Sequence, residues 1–591
     1  MLNLSDIKII TLDTETDTVS NKPNPWTDKL IMLQYRYNEQ GEVKFVEFDK
    51  GGWPDELLLS VLKSTVIIKR GQNVKFDALT LHNAGISIVG PFDDSRILAY
   101  LDNPFESIGL KDLVKNKLHK EVKTYDEITH ILVPSKSKAK KDTGKMVTKR
   151  IKTSEVERNL LKEYGADDIY NCDKLRSLYF DSSWYKKVEQ PLVDVLFRIE
   201  KNGMGLDRPY LEQLNKDYEK EIEQIRSTFG EQLNPNSPKQ LLPVLQSINS
   251  QFGYGVGVYD TEKLTKKRLA WKGSELASRL LRYSELNKLN STYIKPLLAR
   301  MDGASRIHGS FNQAGSSESE GGTKTGRLSS EGPNLQNIPS RTNDGKKVRR
   351  AFIAGPGRHM FVSDKSQIEP RFLAHFSQSK KLIKAYQNKE DTHSLFASDI
   401  FGKTISNISK LERFIGKTVW LATVYGCWPK KVQEICEKNS DDPLPYTLAD
   451  YEAIQKAFID ANKEIWNWRN EHIQITRRLG YIETFGGRRI HIPNLYSKNQ
   501  YEREAAERCS ISYFIQGSAA DDIKLSMIEA DKALTPSGSF LTAQIHDELV
   551  GELTDKELIK DIHRIMVSTS KLNNVPLEAE TKLVGSWADK G

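Results

Sequence analysis

Carboxylate side chains near the start of the sequence have a spacing that could hold a divalent metal ion. Asp13 and Glu15 are separated by one residue and come directly after a run of strand-forming residues. Positions two apart in a strand point to the same face, so the two carboxylates are expected to converge. Close carboxylates repel unless a cation lies between them, and oxygen ligands suit Mg²⁺ or Mn²⁺. Alone, however, such a pair is usually a solvated strand edge.

Further acids follow at intervals that would complete such a centre. Asp77 comes after a turn in GQNVKFD, and Tyr164 and Asp168 are four residues apart, on one face of a predicted helix. In this order the elements resemble the DEDD 3′→5′ exonucleases of the Tyr subtype. The resemblance implies two-metal hydrolysis with Tyr164 orienting the attacking water, and Asp94 is expected to support the site. The implied metal ligands are Asp13, Glu15, Asp77 and Asp168.

A second set of acids lies in the later part of the chain. Asp364 follows a strand-like run in FVSDKSQIEPR, and Asp547 and Glu548 lie at the tip of a predicted hairpin in QIHDELV. Each motif alone is compatible with an exposed acidic turn. If the two distant strands meet, their acids would again bind a pair of metal ions.

Between these motifs, LERFIGKTVWLATVYG is predicted to form a helix with one distinctive face. At about 100° per residue, Arg413, Lys417, Leu421 and Tyr425 form one slowly rotating stripe. Two cations, an apolar side chain and a tyrosine would suit a nucleotide, with the cations at its phosphates. The alternative is a half-buried helix with two solvated basic residues.

Together these motifs are far more specific than any one of them. TGRLSSEGPNLQNIP (325–339), DKSQIEPR (364–371), the 413–426 stripe and QIHDE (544–548) resemble the family A DNA polymerases, the class of bacterial DNA polymerase I. With the exonuclease motifs ahead of them, the resemblance covers nearly the whole chain. It implies a DNA polymerase with proofreading, of a phage-replication type.

The resemblance also implies a role for each matching residue. Asp364, Asp547 and the backbone carbonyl of Lys365 would bind two Mg²⁺ ions, with Mn²⁺ as an alternative, and Glu548 would lie beside the primer terminus. Glu369 would block a 2′-hydroxyl group and so select deoxyribose. Arg413 and Lys417 would bind the triphosphate, and Lys417 could also act as the acid that protonates the pyrophosphate leaving group. Tyr425 would lie under the nascent base pair. The other nucleotide contacts would be Gln367 and Leu421. The implied DNA contacts are Arg327, Gln336, Asn337, Arg341, Arg508, Gln516 and His546.

The predicted architecture is α/β followed by α+β. Residues 1–185 are expected to form a ribonuclease-H-like exonuclease domain with a basic loop at 134–152, and residues 186–591 a right-hand polymerase domain. Within the hand, the predicted divisions are a thumb at 205–310, a palm at 186–204, 311–378 and 505–591, and fingers at 379–504. The strands predicted at the start are Lys8–Leu12, Lys29–Tyr37 and Val43–Phe48.

The composition favours a polyanionic partner without requiring one. The net charge is +8 at a pI of about 8.9. Residues 134–152 carry eight Lys or Arg against one Asp, which indicates a solvated loop, a contact with phosphate backbone, or both. The four cysteines show no C-x-x-C spacing and favour a reducing cytoplasm. Apolar runs of membrane-spanning length are missing from the sequence.

Several positions depart from the family pattern. Lys365 stands where Tyr is frequent, and Pro370 stands where an aliphatic residue is usual. Because proline fixes φ and removes an N–H, the local chain could bend differently from that of relatives. Leu421 stands where relatives carry Phe or Tyr, which suggests slower, more selective incorporation. Ser512 is assigned no role.

The expected partners are primer–template DNA, dNTPs and, in the exonuclease site, a single-stranded 3′ end. The sequence favours a cytoplasmic monomer that lacks a 5′-nuclease and a thioredoxin-binding insertion; helicase or single-strand-binding partners cannot be identified from it. The basic loop could partly replace a processivity partner. Gap-filling repair, a nuclease with an inactive polymerase scaffold, and a single-subunit RNA polymerase stay as alternatives; Glu369 and the proofreading motifs argue against the last.

Overall fold

The first third of the chain is built around a mixed five-stranded sheet. The computed structural model describes residues 3–18, 23–134, 146–230, 233–315 and 322–590. The strand order is β3-β2-β1-β4-β5, with β1 antiparallel to β2 and parallel to β4. These strands are β1 (Ile9–Asp17), β2 (Lys29–Tyr37), β3 (Lys44–Glu47), β4 (Ile68–Gly71) and β5 (Phe92–Asp94).

Helices pack around this sheet and continue into the second part of the chain. They are α1 (Glu56–Lys63), α2 (Val74–Asn83), α3 (Ser95–Asp102), α4 (Leu110–Leu118), α5 (Tyr125–Thr129), α6 (Arg158–Leu178) and α7 (Gln190–Asn202). A π-helical turn at Tyr185–Glu189 leads directly into α7. The predicted mix of strands and helices in residues 1–185 is confirmed.

The central strand β1 is longer than predicted. The sequence placed Asp13 and Glu15 after a strand ending at Leu12, but β1 continues to Asp17. The pairing with β2 carries the strand past its apolar run, with a register shift between Glu15 and Thr16. Both acids therefore lie inside a paired strand, which fixes their backbone more firmly than a loop would.

Helices dominate the middle of the chain, as predicted. They are α8 (Arg208–Ser227), α9 (Pro238–Gln251), α10 (Lys263–Trp271), α11 (Glu275–Lys288), α12 (Lys295–Arg300), α13 (Asn343–Arg350), α14 (Ile368–Ser377), α15 (Lys380–Gln387), α16 (Thr392–Phe401), α17 (Lys410–Val424), α18 (Pro429–Asn439), α19 (Leu448–Ala461), α20 (Lys463–Leu479), α21 (Gln500–Leu534) and α22 (Ile559–Ser568).

A four-stranded antiparallel sheet carries the second set of acids. Its strands are β12 (His359–Lys365), β15 (Phe540–Ile545), β16 (Glu548–Leu553) and β17 (Ala579–Val584), in the order β15-β16-β12-β17. The register places Asp364 opposite Glu548. The predicted hairpin is thereby confirmed, and it pairs with the strand that carries Asp364. The other strands of this part are β8 (Met204–Gly205), β9 (Arg306–Ile307), β10 (Ser310–Asn312), β11 (Ser329–Glu331), β13 (Tyr481–Glu483) and β14 (Arg489–His491).

The predicted basic loop has an ordered base. Strands β6 (His130–Pro134) and β7 (Met146–Arg150) form an antiparallel two-stranded ribbon. Residues 135–145, which contain most of the predicted loop, lie outside the described residues. We call residues 130–134 and 146–152 the basic ribbon.

A buried ion pair joins the long helix α21 to the turn before α7. Lys524 Nζ lies 2.7 Å from Glu189 Oε1, and both side chains are 1% exposed. Glu189 also accepts hydrogen bonds from Gln313 (2.5 Å) and Trp184 (2.9 Å). Despite burial, the Lys524 ammonium and the neighbouring Arg488 hold the pKa of Glu189 below its usual value. The pair is therefore well satisfied, which buried charges require.

Replacing Lys524 with Met should destabilise the fold strongly. The change leaves Glu189 buried without its cation, which costs about 3 kcal/mol. Thermal or urea unfolding of the full chain measures this loss. Lys532→Met is the matched control because Lys532 lies on the same helix in an exposed pair with Glu529, which is worth about 0.5 kcal/mol or less. Equal losses for the two variants would contradict the account.

None of the helices in the described ranges is both long and apolar enough to cross a membrane.

Candidate active sites

The first acidic site collects the predicted side chains from three elements. Asp13 and Glu15 lie on β1, Asp77 on α2, and Tyr164 and Asp168 on α6. Burial, reinforced by the Asp168 carboxylate, raises the pKa of Asp13 to about 7. Burial also raises the pKa values of the other three acids, with Asp13 adding to the shifts of Glu15 and Asp77. Such a cluster favours a bound cation.

Hydrogen bonds fix helix α2, which carries Asp77, at its start and at Asp77 itself. Asp77 Oδ1 accepts hydrogen bonds from Thr14 N (3.0 Å) and Thr14 Oγ1 (2.6 Å), which join α2 to the central strand. Asp94 accepts hydrogen bonds from the N–H groups of Asn73 (2.9 Å) and Val74 (3.1 Å) at the start of α2. Asp94 thus fixes the helix that carries Asp77, in line with the supporting role predicted for it.

Two residues of this site were missed in the sequence. Gln34 on β2 donates from Nε2 to Asp13 Oδ2 (2.5 Å) and Glu15 Oε1 (3.1 Å). A glutamine directly after the apolar run LIML in the strand KLIMLQYRY was the available signal. Helix α6 approaches Gln34 closely because position 165 is glycine: a Cβ there would lie 2.8 Å from Gln34 Nε2.

Lys111 is the second missed residue. Its ammonium on α4 (Leu110–Leu118) pairs with Asp168 and lies 4.0 Å from the centre of the Tyr164 ring. The contact brings a cation to the edge of the acidic cluster, where it lowers the pKa of Asp168 against the effect of burial. A lysine among many in a charged segment gave no signal.

The second acidic site lies where β12 meets the β15–β16 hairpin. Lys365 N donates to Asp547 O (3.1 Å), which ties the hairpin tip to the end of β12. Burial, reinforced by Asp364, raises the pKa of Asp547 to about 7. Asp364 Oδ1 is buried and lacks a hydrogen-bond partner among the described residues.

These donors fit divalent metal ions. Both sites offer buried carboxylate oxygens, the ligands that Mg²⁺ and Mn²⁺ prefer, and the unpartnered Asp364 Oδ1 is best explained by a cation as its partner. Within the ranges that the structure describes, no three acidic, His or Cys side chains are arranged so that they could hold a metal ion as they stand. Lysine ammonium groups hold some of the oxygens instead.

The third acid of the second site, Glu548, is held by the end of the chain. Its Oε1 accepts a hydrogen bond from Trp587 Nε1 (2.7 Å). Lys590 pairs with both Glu548 and Asp364. The sequence offered no signal for either contact, because residues 587 and 590 come after the last recognisable motif.

Helix α17 carries the predicted stripe, and Tyr425 at its end contacts Glu369. Arg413 forms a two-pronged ion pair with Asp391, at 2.6 and 3.1 Å. Burial lowers the pKa of Lys417, as do the nearby cations Arg341 and Arg413. Leu421 is partly buried against the core of this region. The Lys417 ammonium and the Arg413 guanidinium form a cationic surface. Such a surface suits a polyphosphate.

Tyr425, at the end of α17, is joined to two other predicted residues. Its hydroxyl donates to Glu369, whose other carboxylate oxygen pairs with Arg327. Burial and the Glu369 carboxylate raise the pKa of Tyr425, and Gln516 also hydrogen-bonds to it. The predicted sugar gate, pocket tyrosine and DNA-contacting arginine therefore form one chain of contacts.

The other predicted side chains also lie around the second site. Gln367 has a left-handed backbone (φ 54°) and accepts from Tyr386 and Thr392. Gln336 donates to Gln544 (3.0 Å), and the backbone oxygen of Asn337 accepts from Tyr293 (2.7 Å). Three residues complete the set: His546, whose pKa burial lowers; Arg508, which packs against Gly426; and Arg341, near Lys417.

Two departures from the family pattern have structural explanations. The Lys365 side chain is buried, where its ammonium lies 2.7 Å from Asp522 Oδ2 and donates to Met566 O (2.6 Å). Pro370 lies in the first turn of α14 (Ile368–Ser377), where backbone N–H groups have no partner inside the helix. Helix α14 begins at Ile368 and accommodates Pro370 within its first turn.

The family model for DNA polymerase family A matches residues 208–589. The chain belongs to DNA polymerase family A. A model for 3′-5′ exonuclease matches residues 1–135, so the family A polymerase region follows an exonuclease domain. That second match ends before Tyr164 and Asp168, which α6 (Arg158–Leu178) nevertheless brings to Asp13 and Glu15.

This family A chain matches only part of the length of its curated relatives. It is 30% identical to DNA polymerase I of Treponema pallidum over 91% of this chain and 52% of that protein. It is 30% identical to DNA polymerase I of Borreliella burgdorferi over 99% of this chain and 63% of that protein. It is 35% identical to the thermostable DNA polymerase I of Thermus thermophilus over 68% of this chain and 48% of that protein. The chain thus spans about half to two thirds of these relatives.

A solved structure resembles the family A chain over nearly all of it. The POL domain of Pol1 from M. smegmatis, in complex with DNA primer-template and dNTP, superposes with a TM-score of 0.78. The sequences are 27% identical, and the match covers 98% of this chain and 95% of that one. The predicted combination of an exonuclease domain with a hand-like polymerase domain is confirmed at the level of the fold.

Proposed function

We propose that this protein is a template-directed DNA polymerase that adds dNTPs to a primer 3′ end and removes misincorporated ends by 3′→5′ hydrolysis. One observation carries the proposal: the Asp364 and Asp547 carboxylates repel one another across one site, and Arg327, whose charge acts on Asp547, is joined through Glu369 to Tyr425 at the end of the helix whose exposed face bears Arg413 and Lys417. Paired acids next to a cationic surface are what phosphoryl transfer requires.

At the second site the side chains would position the reactants. Asp364 and Asp547 would hold two Mg²⁺ ions, which when bound supply an activated 3′ oxygen and charge stabilisation at the phosphate. Lys417, whose pKa is lowered by burial and neighbouring cations, would bind the triphosphate and could return a proton to pyrophosphate. Arg413 would exchange Asp391 for phosphate oxygens.

At the first site the chain would hydrolyse a single-stranded 3′ end. Asp13, Glu15, Asp77 and Asp168 would hold the metal ions that supply the attacking hydroxide. The Tyr164 hydroxyl, which burial and the Asp168 carboxylate keep protonated by raising its pKa, would orient the attacking water as a hydrogen-bond donor or acceptor.

The finer organisation is part of the same proposal. We assign the exonuclease domain to residues 1–185 and the polymerase domain to 186–591, with a thumb at 205–310 and fingers at 379–504. The role in phage replication or repair, a cytoplasmic location and a monomeric state remain predictions from the sequence.

A primer-extension assay tests the proposal. A 5′-labelled primer on a longer template, with all four dNTPs and Mg²⁺, should be extended to full length; without dNTPs it should be shortened from its 3′ end. Chelation by EDTA should stop both reactions. A protein that only shortens the primer would have an inactive polymerase scaffold.

Glu369→Ala should relax the choice between deoxyribonucleotides and ribonucleotides. The substitution removes both the carboxylate and the hydrogen bond that positions Tyr425, so a 2′-hydroxyl would meet no obstacle. Incorporation of ribonucleotides relative to deoxyribonucleotides should rise by roughly a hundredfold, measured in single-nucleotide kinetics. Tyr425→Phe keeps the ring and should have a smaller effect; an unchanged ratio for Glu369→Ala would refute the assignment.

Leu421→Phe should speed incorporation and weaken discrimination against dideoxynucleotides. A ring at this stripe position would add contact with the incoming sugar worth about 1 kcal/mol, or roughly fivefold in rate. Leu411→Phe, on the exposed start of the same helix, is the matched control. If rate and dideoxynucleotide selectivity both stay the same, Leu421 does not set them.

A further inference from the structure

The basic ribbon is attached directly to the strand that carries the first acidic site. After β7, Ser154 donates from its N–H (2.9 Å) and its hydroxyl (2.6 Å) to Asp17, and Thr153 donates to the backbone of Thr16 (2.7 Å). Asp17 is two residues beyond Glu15 on β1, a distance of about 7 Å along a strand. The base of the ribbon therefore stands beside the acids.

The base of the ribbon also shares a hydrophobic cluster with Tyr164. Ile128, which precedes β6, is buried in the same cluster as Tyr164, and Ile151, which follows β7, packs against it. Tyr125 links the two sides, because its hydroxyl lies 2.6 Å from Thr153 Oγ1. The direction of the ribbon is thus fixed relative to the residue that would orient the attacking water.

Above this base the ribbon has little contact with the rest of the protein. Leu132 is 67% exposed and Met146 47%, although both are apolar. A two-stranded ribbon is marginally stable by itself, and these side chains gain no burial energy in the free protein. They would offer apolar surface to the faces of bases.

The charge of the ribbon is entirely positive. Residues 146–152 contain Lys149, Arg150 and Lys152, and neither described segment of the ribbon contains an acid. Arg150 stacks over Tyr125 at 5.6 Å, and among the described residues the ammonium groups of the two lysines form no ion pair. The neighbouring acids Glu127, Glu155 and Glu157 accept hydrogen bonds from N–H groups at helix starts.

We propose that the basic ribbon binds the single-stranded DNA that leads into the first acidic site. The inference rests on the proposed exonuclease function. Cations would contact phosphates of the strand behind its 3′ end while the acids act on the terminal nucleotide. The polymerase site, which takes duplex DNA, would not need the ribbon.

Removing the three cations tests this role. In full-length protein, Lys149→Ser, Arg150→Ser and Lys152→Ser together should weaken binding of a 5′-labelled oligothymidylate about tenfold at moderate salt, and should make the slope of log K against log salt shallower by about 2. An Asp13→Ala background prevents digestion during this binding measurement. In the wild-type background, the same change should raise KM for digestion of the oligothymidylate about tenfold with kcat unchanged.

The matched control removes the same charge from the other end of the sheet. Lys8, Lys63 and Lys174 are exposed; Lys8 precedes β1 and Lys63 precedes β4, which runs parallel to β1. Changing all three to Ser should leave oligothymidylate binding and KM within about twofold of the parent, because these charges lie away from the proposed path of the single-stranded DNA.

Three results would overturn the ribbon proposal: ribbon and control variants that behave alike, an equal loss of affinity for blunt duplex DNA, or an equal rise in KM for a dinucleotide too short to reach the ribbon. A wild-type protein that digests no single strand would instead refute the proposed exonuclease, while the binding measurement would still report on the ribbon.

Discussion

Asp364→Asn is expected to abolish primer extension and leave 3′-end digestion intact. The amide keeps the shape of the side chain but removes the charge that faces Asp547, and with it a ligand for the paired metals. The lost stabilisation of about 4 kcal/mol corresponds to a rate at least about a thousandfold lower. Single-turnover incorporation of one dNTP measures it.

The control for this substitution is Asp561→Asn, an exposed carboxylate on α22. It should extend and digest like the wild type. If Asp364→Asn still extends a primer at a rate near the wild-type rate, the assignment of the second acidic site is wrong. If it loses digestion as well, the two sites are not independent or the variant is misfolded, which its unfolding temperature would reveal.

Asp13→Ala is expected to have the opposite effect. It removes the most central carboxylate of the first site, the one bound by Gln34 and coupled by charge to Glu15, Asp77 and Asp168. Digestion of a single-stranded 3′ end should fall at least about a thousandfold, because hydroxide is no longer generated and held. Extension of a correctly paired primer should remain within about twofold.

Asp6→Ala serves as its control because Asp6 is exposed and lies before the start of β1. It should digest normally. A strong loss of polymerisation in Asp13→Ala would contradict the separation of the two activities, and residual digestion near the wild-type rate would place the hydrolytic centre elsewhere.

The grouping of the candidate residues was partly predictable, because strand and helix periodicity places residues at certain spacings on one face. Asp13 and Glu15 alternate on one strand, and Arg413 to Tyr425 follow one helical stripe, so local geometry already placed them together. The family resemblance then joined segments that are far apart, such as those holding Asp364 and Asp547. In the structure, the pairing of β12 with β16 brings these segments together, with Asp364 opposite Glu548.

The contacts that hold these side chains were not predictable, because they depend on tertiary packing. Gln34 pairs with Asp13 only through the β1–β2 register, and Lys111 reaches Asp168 from a different helix. Lys590 meets Asp364 because the chain end folds back across the sheet. The length of β1 was underestimated for the same reason: pairing with β2 extends it through polar residues that local propensity would place in a loop.

The effect of Pro370 depends on where helix α14 begins. Proline disrupts the interior of a helix, but in its first turn there is no internal hydrogen bond to lose. The sequence did not show that α14 begins at Ile368, two residues before Pro370 and directly after Gln367, whose backbone is left-handed.

One reaction tests the central claim that two separable metal-dependent activities reside on this chain. A 5′-labelled primer with a mismatched 3′ nucleotide is annealed to a template and supplied with all four dNTPs and Mg²⁺. The wild type should remove the mismatch and then extend the primer to full length; Asp13→Ala should yield only slow product that retains the mismatch, and Asp364→Asn only shortened primer. Corrected full-length product from either variant would contradict the account.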